Sequence, residues 1–107
     1  MQTIQLKKFG SVLVSRPAGL EAFNAIRPQL DPNEQVQIDF ENVLTVTPSW
    51  LDEFLTQLTN FNKGNVVLLP TKNASVLASL PVLAEARQDY VSIIVQNALQ
   101  STKENTN

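Results

Sequence analysis

The sequence predicts an α/β protein, a small sandwich in which helices pack on a mixed β-sheet of about four strands. Segments that alternate apolar with polar residues are followed by segments in which apolar residues recur every three or four positions, as strands and helices do. The later strands are separated by helical segments long enough to cross over a sheet, which is typical of parallel pairing.

The first two strands are predicted to form a hairpin. Apolar and polar residues alternate over residues 3–6, and a second apolar-rich extended segment covers residues 11–14. Gly10 lies between them and can adopt the positive φ of a tight turn. The later strands are expected to be parallel, so this opening hairpin makes the predicted sheet mixed.

A first helix is predicted to start after Ser15, which is a suitable cap, with Pro17 in the first turn, where proline is tolerated. Apolar residues then recur at helical spacing as far as Leu30. Pro28 lies near the last turn, and we expect it to bend or end the helix there.

The second helix has the most regular apolar pattern. It follows a predicted strand at residues 35–40 and a short extended segment at residues 43–46. Its apolar face consists of Trp50, Leu51, Phe54, Leu55, Leu58 and Phe61. This spacing predicts one buried helix face and leaves Asp52 and Glu53 pointing outward.

The C-terminal third is predicted as a strand and two helices. Residues 66–69 are all apolar and predict a parallel strand covered on both faces. Pro81 is expected to kink or split the helix that follows. Residues 90–99 suit a helix capped by Asp89 but are also rich in β formers; we favour the helix. We expect one domain over residues 1–100 and a polar flexible tail over residues 101–107.

Composition argues against an enzyme and against a redox or metal cofactor. The chain has 107 residues, 43% of them hydrophobic, which is enough for one core. It contains no cysteine and no histidine. The commonest general base, the usual partner of a nucleophilic serine and the usual zinc ligands are therefore missing.

Charge and hydropathy bear on partners and location. The net charge is −2 and the eight basic residues are scattered, whereas nucleic-acid binding requires a clustered basic face. The apolar runs are too short to span a membrane, and the N-terminus shows no signal-peptide core. We therefore expect a cytoplasmic protein that binds neither nucleic acid nor membrane; the oligomeric state stays open.

Two motifs resemble the STAS-like family of unknown function. They are QIDFENV at residues 37–43 and VTPSWLDEFL at residues 46–55, a strand ending in Asp-Phe followed by a short polar loop and a Ser-aromatic pair before two acidic residues. SRPAG at residues 15–19 is similar to the family's opening of the first helix, and the likeness extends loosely over residues 12–80. The resemblance implies a STAS-like α/β fold.

More distantly, the same segment is similar to anti-sigma factor antagonists of the STAS superfamily. That likeness implies a non-enzymatic regulatory module that binds a protein partner, such as an anti-sigma factor or an ATP-binding kinase-like protein. It places Ser49 on the serine that a partner kinase phosphorylates. Thr47, Pro48 and Trp50 replace an aspartate, a serine and a glycine of that motif. The binding surface, the loop and the start of the second helix, carries over better than the phosphorylation.

The residues around this loop are the candidates for partner binding or phosphorylation. They are Thr45, Thr47, Ser49, Trp50, Asp52 and Glu53. Ser49 has the spacing of a helix cap, with Thr47 and Pro48 offering a competing register; the structural cap is the favoured reading. Trp50 fits the core, with a partner-facing anchor as the alternative.

Asp39 and Arg16 are candidates for ligand contact. Asp39 ends a strand, where open α/β sheets place ligand groups, and it could gather there with Asp52 and Glu53. A small-molecule or nucleotide-binding domain at these strand ends is therefore the alternative function, although ordinary surface solvation also explains the carboxylates. Arg16 faces an unfavourable helix dipole, so we expect it to form an ion pair with a carboxylate.

Overall fold

The computed structural model describes residues 1–86 and 89–105. They form an α/β structure with helices packed on parallel sheets, which confirms the predicted class. The elements in chain order are β1 (Gln2–Gln5), β2 (Val12–Leu13), α1 (Arg16–Ile26), β3 (Val36–Asp39), β4 (Thr45–Val46), α2 (Pro48–Asn62), β5 (Val66–Leu68), α3 (Ala74–Ala86) and α4 (Tyr90–Asn105).

The strands form two sheets, and every pair in the described residues is parallel. β1, β3 and β5 lie side by side in that order, with Ile4 opposite Ile38. β2 and β4 form a second sheet, with Leu13 opposite Val46. The predicted opening hairpin is therefore wrong, and the sheets are parallel rather than mixed.

A short 3₁₀ helix at Leu6–Phe9 explains why β1 and β2 do not pair. It separates the two strands, and Gly10 leaves it with the predicted positive φ, 124°. Instead of folding back on β1, β2 pairs with β4, just as β1 pairs with β3. Each of these strands therefore pairs in parallel with a strand that is reached through a helical crossover, and not with its neighbour in sequence through a tight turn.

Among the described residues, one face of the three-stranded sheet is covered and the other is exposed. Ile4, Ile38 and Leu68 are buried on the covered face, while Thr3 and Val67, on the other, are exposed, Val67 by 40%. With strand order β1-β3-β5, right-handed crossovers place α1 and α2 on the same side. The prediction that residues 66–69 are covered on both faces is therefore wrong.

The C-terminal helices extend further than predicted. α3 continues past Pro81, which lies on its exposed side, where the carbonyl that loses its partner can bond to water.

Asp89 accepts a bond from the Val91 N–H at 3.1 Å, and the helix favoured for residues 90–99 is confirmed as α4. α4 reaches Asn105, inside the segment expected to be a flexible tail; residues 106–107 lie outside the described part. None of the described helices is long and apolar enough to cross a membrane.

α1 and α2 lie side by side and run in the same direction. Ser15 Oγ caps α1 by accepting the Ala18 N–H at 3.4 Å, and the α-helix ends before Pro28, as predicted. The ring of Phe23 lies edge-on to Phe54, which is fully buried. A Cβ on Gly19 would lie 2.5 Å from the Trp50 carbonyl oxygen, so the helices can approach this closely only with glycine at residue 19.

Gly19→Ala should destabilise the domain by about 1–3 kcal/mol, because the added methyl group meets backbone atoms of α2 that cannot move aside. Alanine is otherwise favoured over glycine in a helix by about 1 kcal/mol. Asn24→Ala, at an exposed position of α1, is the control and should be neutral or slightly stabilising. Urea unfolding measures both, and a stable Gly19→Ala variant would show that the helices are further apart.

Candidate functional site

The loop before α2 is held by Thr47, which caps the helix. The Thr47 backbone is extended, with φ −97° and ψ 154°, and its Oγ1 accepts the Trp50 N–H at 3.5 Å. Pro48 occupies the first helical position, where its fixed φ is favourable. The favoured reading of Ser49 as the cap is therefore wrong, and the competing register is the one observed. Ser49 Oγ lies 3.2 Å from Thr47 Oγ1, inside the first turn.

Asn73 attaches the preceding segment, which joins β3 to β4, to α3. Its Nδ2 donates to the carbonyl oxygens of Val43 and Leu44, at 2.6 and 3.3 Å. Its Oδ1 accepts the backbone N–H groups of Ser75 and Val76, which caps α3. The sequence analysis missed this residue, although an asparagine directly before a helical apolar pattern is a recognisable capping signal.

A surface depression of about 280 Å³ lies where α1, α2 and α3 meet. It is lined by Arg16, Pro48, Ser49, Asp52, Val82 and Leu83. Val82 is 52% exposed, whereas Leu83 is buried. The depression therefore combines an apolar surface with one hydroxyl group and one ion pair, and it contains three of the predicted site residues.

The ion pair joins Arg16 to Asp52. Arg16 Nη1 lies 2.7 Å from Asp52 Oδ2, and the two side chains are 52% and 17% exposed. Arg16 begins α1, where the helix dipole disfavours a positive charge, and the carboxylate of α2 offsets this cost. The predicted carboxylate partner of Arg16 is thus confirmed.

Trp50 belongs to the core and not to the surface. Its side chain is 1% exposed and stacks on Phe54, with ring centroids 5.0 Å apart and an interplanar angle of 12°. The core reading is confirmed, and a partner-facing anchor at this position is excluded by burial. Glu53 faces outward along α2, where its Oε2 accepts a bond from Gln57 Nε2 at 3.5 Å.

Asp39 and Thr45 lie apart from the depression. Asp39 ends β3, and its Oδ1 accepts the Glu41 N–H at 2.9 Å. Thr45 is half-buried in β4, where its N–H donates to Ser11 O at 3.1 Å. Within the described ranges, no three acidic side chains are placed to hold a metal ion. Asp39, Asp52 and Glu53 therefore do not form the cluster that was the alternative to ordinary surface solvation.

Comparison with known families supports the resemblance drawn from the motifs. The family model of the STAS-like domain of unknown function (DUF4325) matches residues 21–69, from within α1 to just past β5. This range contains both motifs, and over it the chain is similar to the STAS-like family. It does not include residues 15–19 or α3. No curated protein and no solved structure matches the chain.

The cap assignment predicts different losses for two neighbouring hydroxyl groups. Thr47→Ala removes the group that satisfies the Trp50 N–H and should cost about 1 kcal/mol of unfolding free energy. Ser49→Ala, inside the first turn, should cost less than about 0.5 kcal/mol. Urea melts of both variants provide the comparison, and a larger loss for Ser49→Ala would restore Ser49 as the cap.

Proposed function

We propose that this STAS-like domain is a non-enzymatic interaction module that binds a partner protein through the loop before α2 and the first turns of α2. The supporting observation is the depression between α1, α2 and α3. Its position coincides with the loop through which the resemblance to anti-sigma factor antagonists implies binding. That resemblance also favours an anti-sigma factor or an ATP-binding kinase-like protein as the partner.

The chemistry of the depression suits a side chain from another protein. Val82 and Pro48 offer apolar contact, and Ser49 and the exposed Arg16 can form polar bonds around it. Protein interfaces commonly combine an apolar centre with such a polar rim. The volume, about 280 Å³, falls just below the about 300–1,000 Å³ typical of small-molecule pockets.

Ser49 gives this surface a means of regulation. A phosphoryl group on Ser49 would lie at the N-terminus of α2, where unpaired N–H groups and the helix dipole favour negative charge. Arg16 and Asp52 line the same depression. The phosphoryl group would repel Asp52 and compete with it for Arg16, so phosphorylation would alter the ion pair that joins α1 to α2.

The alternative, a nucleotide or small-molecule site at the strand ends, has less support. The Asp39 carboxylate closes the turn to Glu41, and the Thr47 hydroxyl caps α2. Both side chains therefore serve local structure. The chain has three glycines and no glycine-rich phosphate loop.

Affinity capture of the intact protein from its native lysate tests the module directly. A stoichiometric protein partner supports the proposal, whereas a copurified small molecule would favour the alternative. Val82→Arg should then weaken binding of the captured partner at least about tenfold, or 1.4 kcal/mol, because it places bulk and charge over the depression.

Ile93→Arg is the matched control for Val82→Arg. Ile93 is also an exposed aliphatic residue on a helix, 58% exposed on α4. The control should bind like the wild-type protein, and both variants should remain folded in thermal melts. Equal affinities for the two variants in titration calorimetry would move the interface away from the depression.

Regulation by phosphorylation of Ser49 predicts that two substitutions at this position differ in their effect on partner binding. Ser49→Asp should weaken partner binding more than Ser49→Ala, because the added carboxylate imitates the charge of phosphoserine beside Asp52. Titration calorimetry with the captured partner provides the two affinities. If they are equal, phosphorylation is not the switch, although the interface can still be correct.

A further inference from the structure

β2 has an open edge that faces away from β4. The carbonyl oxygens of Ser11 and Leu13 accept bonds from Thr45 and Thr47, at 3.1 and 3.0 Å. Backbone groups alternate sides along a strand, so those of Val12 point away from this ladder. In the part of the chain that the structure describes, the Val14 backbone has no hydrogen bond either. This edge can therefore accept another strand.

An apolar groove of about 290 Å³ runs between this edge and α1. One wall is β2, where Val12 and Val14 are 54% and 44% exposed. The other wall is formed by Ala18, Ala22 and Ala25 of α1, at helical spacing along one face. Because these side chains are small, the groove stays open next to the unpaired backbone.

We propose that this groove binds an extended segment of a partner protein, which adds a strand to the free edge of β2. Backbone bonds to Val12 and Val14 would supply affinity, and alternate apolar side chains of the segment would lie against the alanines of α1. Strand addition between a sheet edge and a helix is an established mode of peptide recognition. This surface is separate from the depression at Ser49 and does not depend on its function.

The charge of the groove specifies the segment further. Among the described residues that line it, Glu21 is the one with a charged side chain. A lysine or arginine beside the apolar positions of the segment would complement this carboxylate. A second copy of the domain fits less well, because two-fold pairing of β2 with itself would place both Glu21 carboxylates on the same face of the joined sheet.

A displayed library of random dodecapeptides, panned against the intact protein, is the probe. We expect enriched peptides to alternate apolar residues and to contain Lys or Arg. Bound peptide should slow amide hydrogen exchange at Val12 and Val14 at least about tenfold, with little change at Leu13, whose backbone faces β4. Failure to enrich any such peptide, or exchange that stays fast at both valines, would overturn the proposal.

Two substitutions locate the enriched peptide without disturbing the core. Ala25→Trp fills the groove from an exposed position of α1 and should weaken binding at least tenfold. Asn24→Trp is the matched control, because Asn24 is the neighbouring exposed residue and lines a different depression; its affinity should match that of the wild-type protein. Equal affinities for the two variants would contradict the assigned groove.

Two further measurements test the role of the Glu21 charge and the possibility that a second copy of the protein occupies the groove. Glu21→Lys should weaken binding of the basic peptides at least tenfold, and unchanged affinity would contradict the proposed recognition of Lys or Arg. The same exchange measurement is repeated without peptide at increasing protein concentration. If the amides of Val12 and Val14 then become more protected while sedimentation shows a dimer, a second copy is the occupant and the proposal is overturned.

Discussion

At residue 19 the two central helices come so close that a methyl group on Gly19 would lie 2.5 Å from the Trp50 carbonyl oxygen. This contact sets the distance between α1 and α2, and other features depend on that distance. It brings Arg16 within 2.7 Å of Asp52 and places the ring of Phe23 against Phe54. The surface depression at Ser49 exists because the first turns of α1 and α2 lie together at this distance.

The parallel arrangement of the strands brings the loops after them to one end of the domain, as in other open α/β structures. Here β4 joins α2 through Thr47, which caps the helix, and Asn73 ties the preceding segment between β3 and β4 to α3. Under the proposed function, such a loop would present its side chains at small cost in ordering. The depression at Ser49 and the groove beside β2 use neighbouring residues of α1, yet one offers side chains and the other offers backbone groups.

Local sequence patterns were sufficient to predict the helices and several of their ends. The apolar stripe of α2 predicts both the helix and the burial of Trp50, because a period of 3.6 residues describes the backbone as well as the exposed and buried faces. The positive φ of Gly10 and the end of α1 before Pro28 follow from the conformations open to glycine and proline. The need of Arg16 for a carboxylate follows from the dipole of its own helix.

The tertiary structure decided which strands pair and which carboxylate forms the ion pair with Arg16. The alternation in β1 and β2 is equally compatible with a hairpin and with parallel neighbours, and the observed register, such as Ile4 opposite Ile38, joins residues far apart in sequence. Asp52 as the partner of Arg16, and the depression that they line with Val82, require three helices to be packed first. Short patterns favour helix or strand within a segment, whereas strand order and surface shape depend on the free energy of contacts between segments, which no local pattern specifies.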